Sequence, residues 1–211
     1  MAGAPAGGGF VRGGPPPRVV VARSRALARL DGHGAMAVLE AEPDQVALMV
    51  EPLRDSAGIA AVNGPRSVVV SGSKRSVEAV VRRAKRRGLL ARRVAVDFAA
   101  HSPQVEAVLP EFGAAIKDII ARVPQTPLYS TTRAGRTITS DATDVEYWLD
   151  NARGTVELAR ALRGAADSGI STVLELGPHP QLIPAVRDHD DLGMAADWGP
   201  ANQSYTANPK K

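Results

Sequence analysis

A chain of 211 residues, 44% hydrophobic and 23% charged, can bury a sizeable core in one medium domain or two small subdomains. It holds no run of 18 apolar residues, no apolar signal-like N-terminus and no cysteine; a membrane span, a secretory signal, disulfides, thiolate catalysis and a Cys-ligated zinc are therefore not expected, and a cytoplasmic setting is. The net charge of +4 is uneven, since residues 36–97 hold 11 Lys+Arg against 7 Asp+Glu.

Residues 1–17 are rich in Gly and Pro without periodicity and are expected to be disordered. From Arg18 the composition changes: Val19, Val20, Ala22, Ala26, Leu27 and Leu30 suit a buried helix, ended by Asp31-Gly32-His33-Gly34, so that 18–34 forms one helical unit. Residues 35–97 then read as β-α-β-β-α-β. Strands are expected over 36–40, 59–63, 67–71 and 91–96, with helices over 44–57 and from Ser73 to Gly88. Pro52 is a possible break in the first helix, and Ser73 a cap for the second. Two helices on one face of an antiparallel four-stranded sheet form a ferredoxin-like unit. The basic run Arg82-Arg83-Ala84-Lys85-Arg86-Arg87 lies on the second helix, whose Val77, Val80, Val81 and Ala84 recur at helical spacing. Its arginines therefore face water. Residues 35–97 contain no Phe, Tyr or Trp, which leaves no stacking platform for RNA.

After the short apolar run Val94-Ala95-Val96 comes His101, which stands at the mouth of a helix begun by Ser102 as N-cap and Pro103 as N1. An imidazole held there by rigid backbone is a candidate general base. Val105, Val108, Leu109, Phe112, Ile116, Ile119 and Ile120 mark one long apolar stripe, kinked or restarted at Pro110. A hairpin over 128–132 and 137–139 turns about Ala134-Gly135. One short helix carries Tyr147-Trp148, another carries Val156, Leu158, Ala159, Leu162 and Ala166, and Ser171 to Leu176 reads as a buried strand. Helices on both sides of that strand suggest a parallel sheet. Residues 98–190 thus form a second unit, and 191–211 an irregular tail. His33 and His179, in glycine and Gly-Pro-His-Pro loops, read as surface turn residues.

Several motifs follow one another in order. They are Val21-Ala22-Arg23-Ser24-Arg25, Gly34-Ala35-Met36-Ala37, Ala60-Ala61-Val62-Asn63-Gly64-Pro65 and Phe98-Ala99-Ala100-His101-Ser102-Pro103. Tyr147-Trp148-Leu149-Asp150-Asn151-Ala152-Arg153 and Glu175-Leu176-Gly177-Pro178-His179-Pro180 complete the set. Over about residues 18–188 the chain resembles the acyltransferase domain of modular type I polyketide synthases, a relative of the malonyl-CoA:acyl-carrier-protein transacylases. The resemblance implies an α/β fold, an α/β-hydrolase-like parallel sheet core with an inserted ferredoxin-like subdomain; here the core is partial.

It also implies a two-step acyl transfer from acyl-CoA, through an acyl-serine, to the phosphopantetheine thiol of an acyl carrier protein. The setting would be other polyketide synthase domains, with no further cofactor, no metal, no nucleic acid and no membrane. By this resemblance His101 is the general base, Asn151 is the position whose carbonyl orients its imidazole, and Arg23 pairs with the free carboxylate of a malonyl-type substrate. Phe98, Ala99 and Ala100 set extender size: His-Ala-Phe-His accompanies malonyl transfer in the family and Tyr-Ala-Ser-His methylmalonyl, so Ala100 leaves room for an α-branch.

The chain departs from the family in one respect. No Gly-x-Ser-x-Gly elbow occurs in the 211 residues, so a truncated domain lacking its nucleophile is expected. A catalytically inactive remnant, or a module docking an acidic carrier protein through the basic helix, is the alternative.

Overall fold

The computed structural model describes residues 17–121, 124, 126–133, 136–138, 143–177 and 179–199. Residues 1–16 of the Gly/Pro-rich segment, the hairpin tip at Ala134-Gly135, Thr139 and Pro178 fall outside these residues, while Pro17, expected to be disordered, begins a helix. The chain opens with α1 (Pro17–Ala28), which buries Val19, Ala22 and Ala26 and leaves Val20 39% exposed. Gly32, at φ 80°, turns the chain into the first sheet.

That sheet is built from β1 (Ala35–Leu39), β2 (Ala57–Gly64), β3 (Ser67–Gly72) and β4 (Ala91–Arg93), in the order β2-β3-β1-β4 with every pairing antiparallel. It is the strand order expected of two interleaved β-α-β units. Helices α2 (Pro43–Val50) and α3 (Lys74–Arg86) close one face. Leu39, Val46, Val68, Val70, Val77, Val80 and Ala84 are fully buried between them. Ser73 caps α3, its hydroxyl accepting from the Ser76 amide at 3.2 Å, and Gly88 (φ 73°) follows the helix end.

Three boundaries differ from the sequence reading. The first helix stops at Val50 rather than 57. Pro52 sits in a 3-10 turn (Glu51–Leu53), and Ala57 already belongs to β2. The last strand ends at Arg93, not Val96, because beyond Val94 the chain leaves its ladder with β1. His101 therefore follows an irregular loop instead of closing a strand.

The second unit begins with a 3-10 helix (Pro103–Val108) that passes into α4 (Leu109–Ile116). The single long helix expected from the apolar stripe is thus two segments, joined where Pro110 removes an amide donor. Val105, Val108, Phe112 and Ile116 are buried against α1, whereas Ile120 is 81% exposed beyond the helix end. The strands β5 (Leu128–Tyr129) and β6 (Thr137–Ile138) pair antiparallel, and α5 (Val145–Arg153) packs Tyr147 and Trp148 into the same core.

The chain next bonds to the first sheet: Val156 forms a parallel bridge with Ala61, and the Thr155 hydroxyl donates to the Ile59 carbonyl at 2.7 Å. Then come α6 (Leu158–Asp167), β7 (Thr172–Leu176), α7 (Ile183–Arg187) and β8 (Ala195–Gly199). The tail was expected to be irregular from 191, but 195–199 pairs with β7 as a parallel strand. Nor is β7 buried throughout: Val173 and Glu175 point inward while Leu174 and Leu176 are 38% and 70% exposed. Glu175 anchors the loop that follows, its carboxylate accepting from the amides of Gln181, Leu182 and Ile183 at the start of α7. Among the described residues no helix is long and apolar enough to cross a membrane.

Candidate active site

The site forms where α1, the loop after β4 and the end of α5 meet. Gly34 sets the course of that loop. Its amide donates to the Asp97 carbonyl at 2.9 Å, and a Cβ at position 34 would lie 2.3 Å from the Ala99 nitrogen. Only glycine admits so close a backbone approach. Ala99 is fully buried, Phe98 packs against the helical core, and Ala100 is half-buried beside His101. The Ser102 hydroxyl, also fully buried, donates to the Ala99 carbonyl at 2.8 Å and accepts from the Gln104 amide at 3.2 Å. The turn is thus tied at both ends.

Within it His101 takes φ 55°, the one non-glycine residue with positive φ among the described residues. Such a conformation is sparsely populated and marks a residue held in place by its surroundings. It directs Nδ1 to the Gly154 carbonyl at 2.8 Å and leaves Nε2 3.5 Å from Nη2 of Arg23. A carbonyl only accepts, so Nδ1 carries the proton and Nε2 presents its lone pair. Desolvation first, and then the positive charge of Arg23, push the His101 pKa down to about 4, against the opposing bond to Gly154. The imidazole is accordingly neutral near pH 7, which is the form a base requires.

Arg23 projects from α1 and donates from Nη1 to Asn151 Oδ1 at 2.7 Å. Burial lowers its pKa from the ordinary value, yet an arginine remains charged in water at any physiological pH. Asn151 Nδ2 donates in turn to Thr132 Oγ1 at 2.8 Å, which fixes the amide with its oxygen toward the guanidinium.

The residues expected to act together do meet here: Arg23, His101 and Asn151 form one connected group. The role foreseen for Asn151 is corrected, however. Its side-chain oxygen is engaged by Arg23, and the imidazole is oriented by the backbone carbonyl of Gly154 instead. Gly154 and Thr132 were not foreseen. A main-chain acceptor carries no residue signature, although a glycine directly after Arg153 at a helix end was a usable hint. His33 and His179 are exposed, as their loops suggested.

The sequence profile of the family described as "Acyl transferase domain" matches residues 17–197. A phthioceranic/hydroxyphthioceranic acid synthase of Mycobacterium tuberculosis is 41% identical over 170 residues, which are 80% of this chain and 8% of that protein. An erythronolide synthase of Saccharopolyspora erythraea is 37% identical over 171 residues, 81% of this chain and 5% of the relative. The chain is thus a small part of the length of these relatives.

Among solved structures, the acyltransferase domain from module 8 of the salinomycin polyketide synthase superposes with a TM-score of 0.82 at 33% identity, over 86% of this chain and 43% of its own. The malonyl CoA-acyl carrier protein transacylase of Coxiella burnetii, at 18% identity and TM-score 0.78 over 86% of this chain and 58% of its own, shares the fold. With its α/β architecture, its matched profile and these relatives, the chain belongs to the acyltransferase domain family of polyketide synthases.

Proposed function

We propose that this chain carries the base and the carboxylate receptor of a site that transfers a malonyl-type extender from CoA to an acyl carrier protein. The observation that supports it is the contact of a neutral imidazole with a guanidinium that has no carboxylate partner among the described residues. Arg23 offers parallel N–H donors to the free carboxylate of the substrate, a task for which a planar guanidinium is suited. His101 Nε2 takes the proton from an attacking hydroxyl as the oxygen–carbon bond to the thioester carbonyl forms. It returns that proton to the departing CoA sulfur as the carbon–sulfur bond breaks, and the phosphopantetheine thiol reverses the sequence. The hydroxyl belongs to the Gly-His-Ser-x-Gly elbow of the family, a segment that does not occur in these 211 residues. Beyond CoA and phosphopantetheine the reading requires no cofactor, and the other polyketide synthase domains are its natural neighbours.

The extender is methylmalonyl or another α-branched unit, because Ala100, half-buried beside His101, gives the α-carbon room where a phenylalanine would crowd it. Calorimetric titration of the chain with methylmalonyl-CoA and malonyl-CoA tests this. A preference for the former of about 10-fold is expected, the scale of one methyl group in an apolar pocket. Ala100→Phe reverses it, and a strong preference of the parent chain for malonyl-CoA overturns the reading. Incubation with radiolabelled methylmalonyl-CoA is expected to leave no covalent label on the 211 residues. Stable label would show a nucleophile outside the elbow pattern.

A further inference from the structure

The guanidinium of Arg23 contacts not only the place where a substrate carboxylate is expected but also the lone pair that His101 needs for catalysis. Nδ1 of the imidazole is committed to Gly154, so all base chemistry runs through Nε2, and Nη2 of Arg23 stands 3.5 Å from that atom. The other end of the guanidinium is anchored: Nη1 bonds Asn151, which Thr132 holds in turn. Of the five N–H donors on an arginine, three then remain for an incoming anion. We propose that Arg23 is a gate on His101, covering Nε2 until a substrate carboxylate takes up its charge, so that only carboxylated thioesters meet an active base. This rests on the proposed reading of Arg23 as the carboxylate receptor and adds to it a coupling between recognition and chemistry.

The groups facing His101 bear out how few charges govern it. From α1 the facing group is Arg23, and from the end of α5 it is the uncharged Gly154 carbonyl. Arg153, beside Gly154, is turned away to Glu106 at 2.8 Å. Burial and the Arg23 charge both depress the imidazole, and a bound carboxylate removes only the second cause. A thioester without a carboxylate therefore finds the base weak even when it binds. The site then discriminates in turnover as well as in affinity.

Titration of His101 in the full chain by nuclear magnetic resonance of labelled imidazoles tests the gate, with methylmalonyl-CoA and propionyl-CoA as probes. The two share the CoA moiety and differ in the carboxylate. Methylmalonyl-CoA is expected to raise the His101 pKa by about one unit or more, a tenfold gain in proton affinity, and propionyl-CoA to leave it in place. In Arg23→Gln the value starts higher and neither probe moves it; should that variant not fold, the comparison of the two probes on the parent chain decides alone. If methylmalonyl-CoA binds more tightly than propionyl-CoA but the His101 pKa stays put, the gate is overturned while carboxylate recognition stands. Equal affinity for the two probes overturns both.

Discussion

The antiparallel sheet and strand β7 are made of similar apolar material and meet opposite fates. In β1 and β3, Leu39, Val68 and Val70 are fully buried, because α2 and α3 lie across them. In β7 the alternation is just as regular, yet only Val173 and Glu175 turn toward α6 and α7, while Leu174 and Leu176 face outward. An apolar strand therefore reports that a face is oily without saying that anything covers it. Burial follows the elements that lie across a face, since α6 and α7 flank β7 in sequence as closely as α2 and α3 flank the first sheet, and its outer face is still exposed. The candidate site belongs to neither, since its groups come from α1, the loop leaving β4 and the end of α5.

The sharpest way to break this contrast is a truncation in the closed sheet. Leu39→Ala is expected to cost about 4 kcal/mol, as for a fully buried leucine whose cavity cannot collapse between sheet and helices. Urea denaturation followed by circular dichroism measures it. A loss under about 1 kcal/mol, within the range of ordinary surface changes, would mean that this sheet is no better packed than β7–β8.

What the sequence disclosed follows the same division. The ends of α3 were legible because Ser73 and Gly88 act on groups within four residues of themselves, and its buried face because Val77, Val80 and Ala84 lie at helical spacing. His101, Asn151 and Arg23 were legible as a group through motif order. The partner of each was not, since an amide oxygen at 151 serves equally well toward an imidazole or a guanidinium, and tertiary packing chose the guanidinium. Strand β8 escaped notice because Ala195, Ala196 and Asp197 carry no apolar alternation and its pairing with β7 is non-local. Glu175 showed no sign of its role either, as its three amide partners come from a turn six to eight residues onward.

Acidification probes the candidate site, which neither sheet covers. His101 has a folded-state pKa of about 4, below its unfolded value of 6.5, so between those limits the unfolded chain binds more protons than the folded one. The stability due to keeping this imidazole neutral is complete above about pH 6.5, falls as pH drops toward 4, and changes no further below that. The full loss is on the order of 3 kcal/mol. In His101→Gln the corresponding slope disappears, which denaturation at a series of pH values would reveal. Hydrogen exchange adds location: α1 and α5, joined through Arg23 and Asn151, should loosen with acid while the β1–β3 ladder keeps its protection. Uniform loss across both would mean that the closed sheet depends on the site, contrary to its separate core.

The smallest expected effect is the most searching for the contrast. Leu176 is 70% exposed on the outward face of β7, so Leu176→Ser removes little area from contact and should change stability by less than about 0.5 kcal/mol. Since exposed apolar area still attracts other surfaces, the measurement belongs at two protein concentrations. A cost above about 1 kcal/mol at both would show that something within the chain covers Leu176 in solution, and the two sheets would then be alike. A cost that appears only at the higher concentration would instead place the cover in a second molecule. It would leave the packing difference within one chain intact.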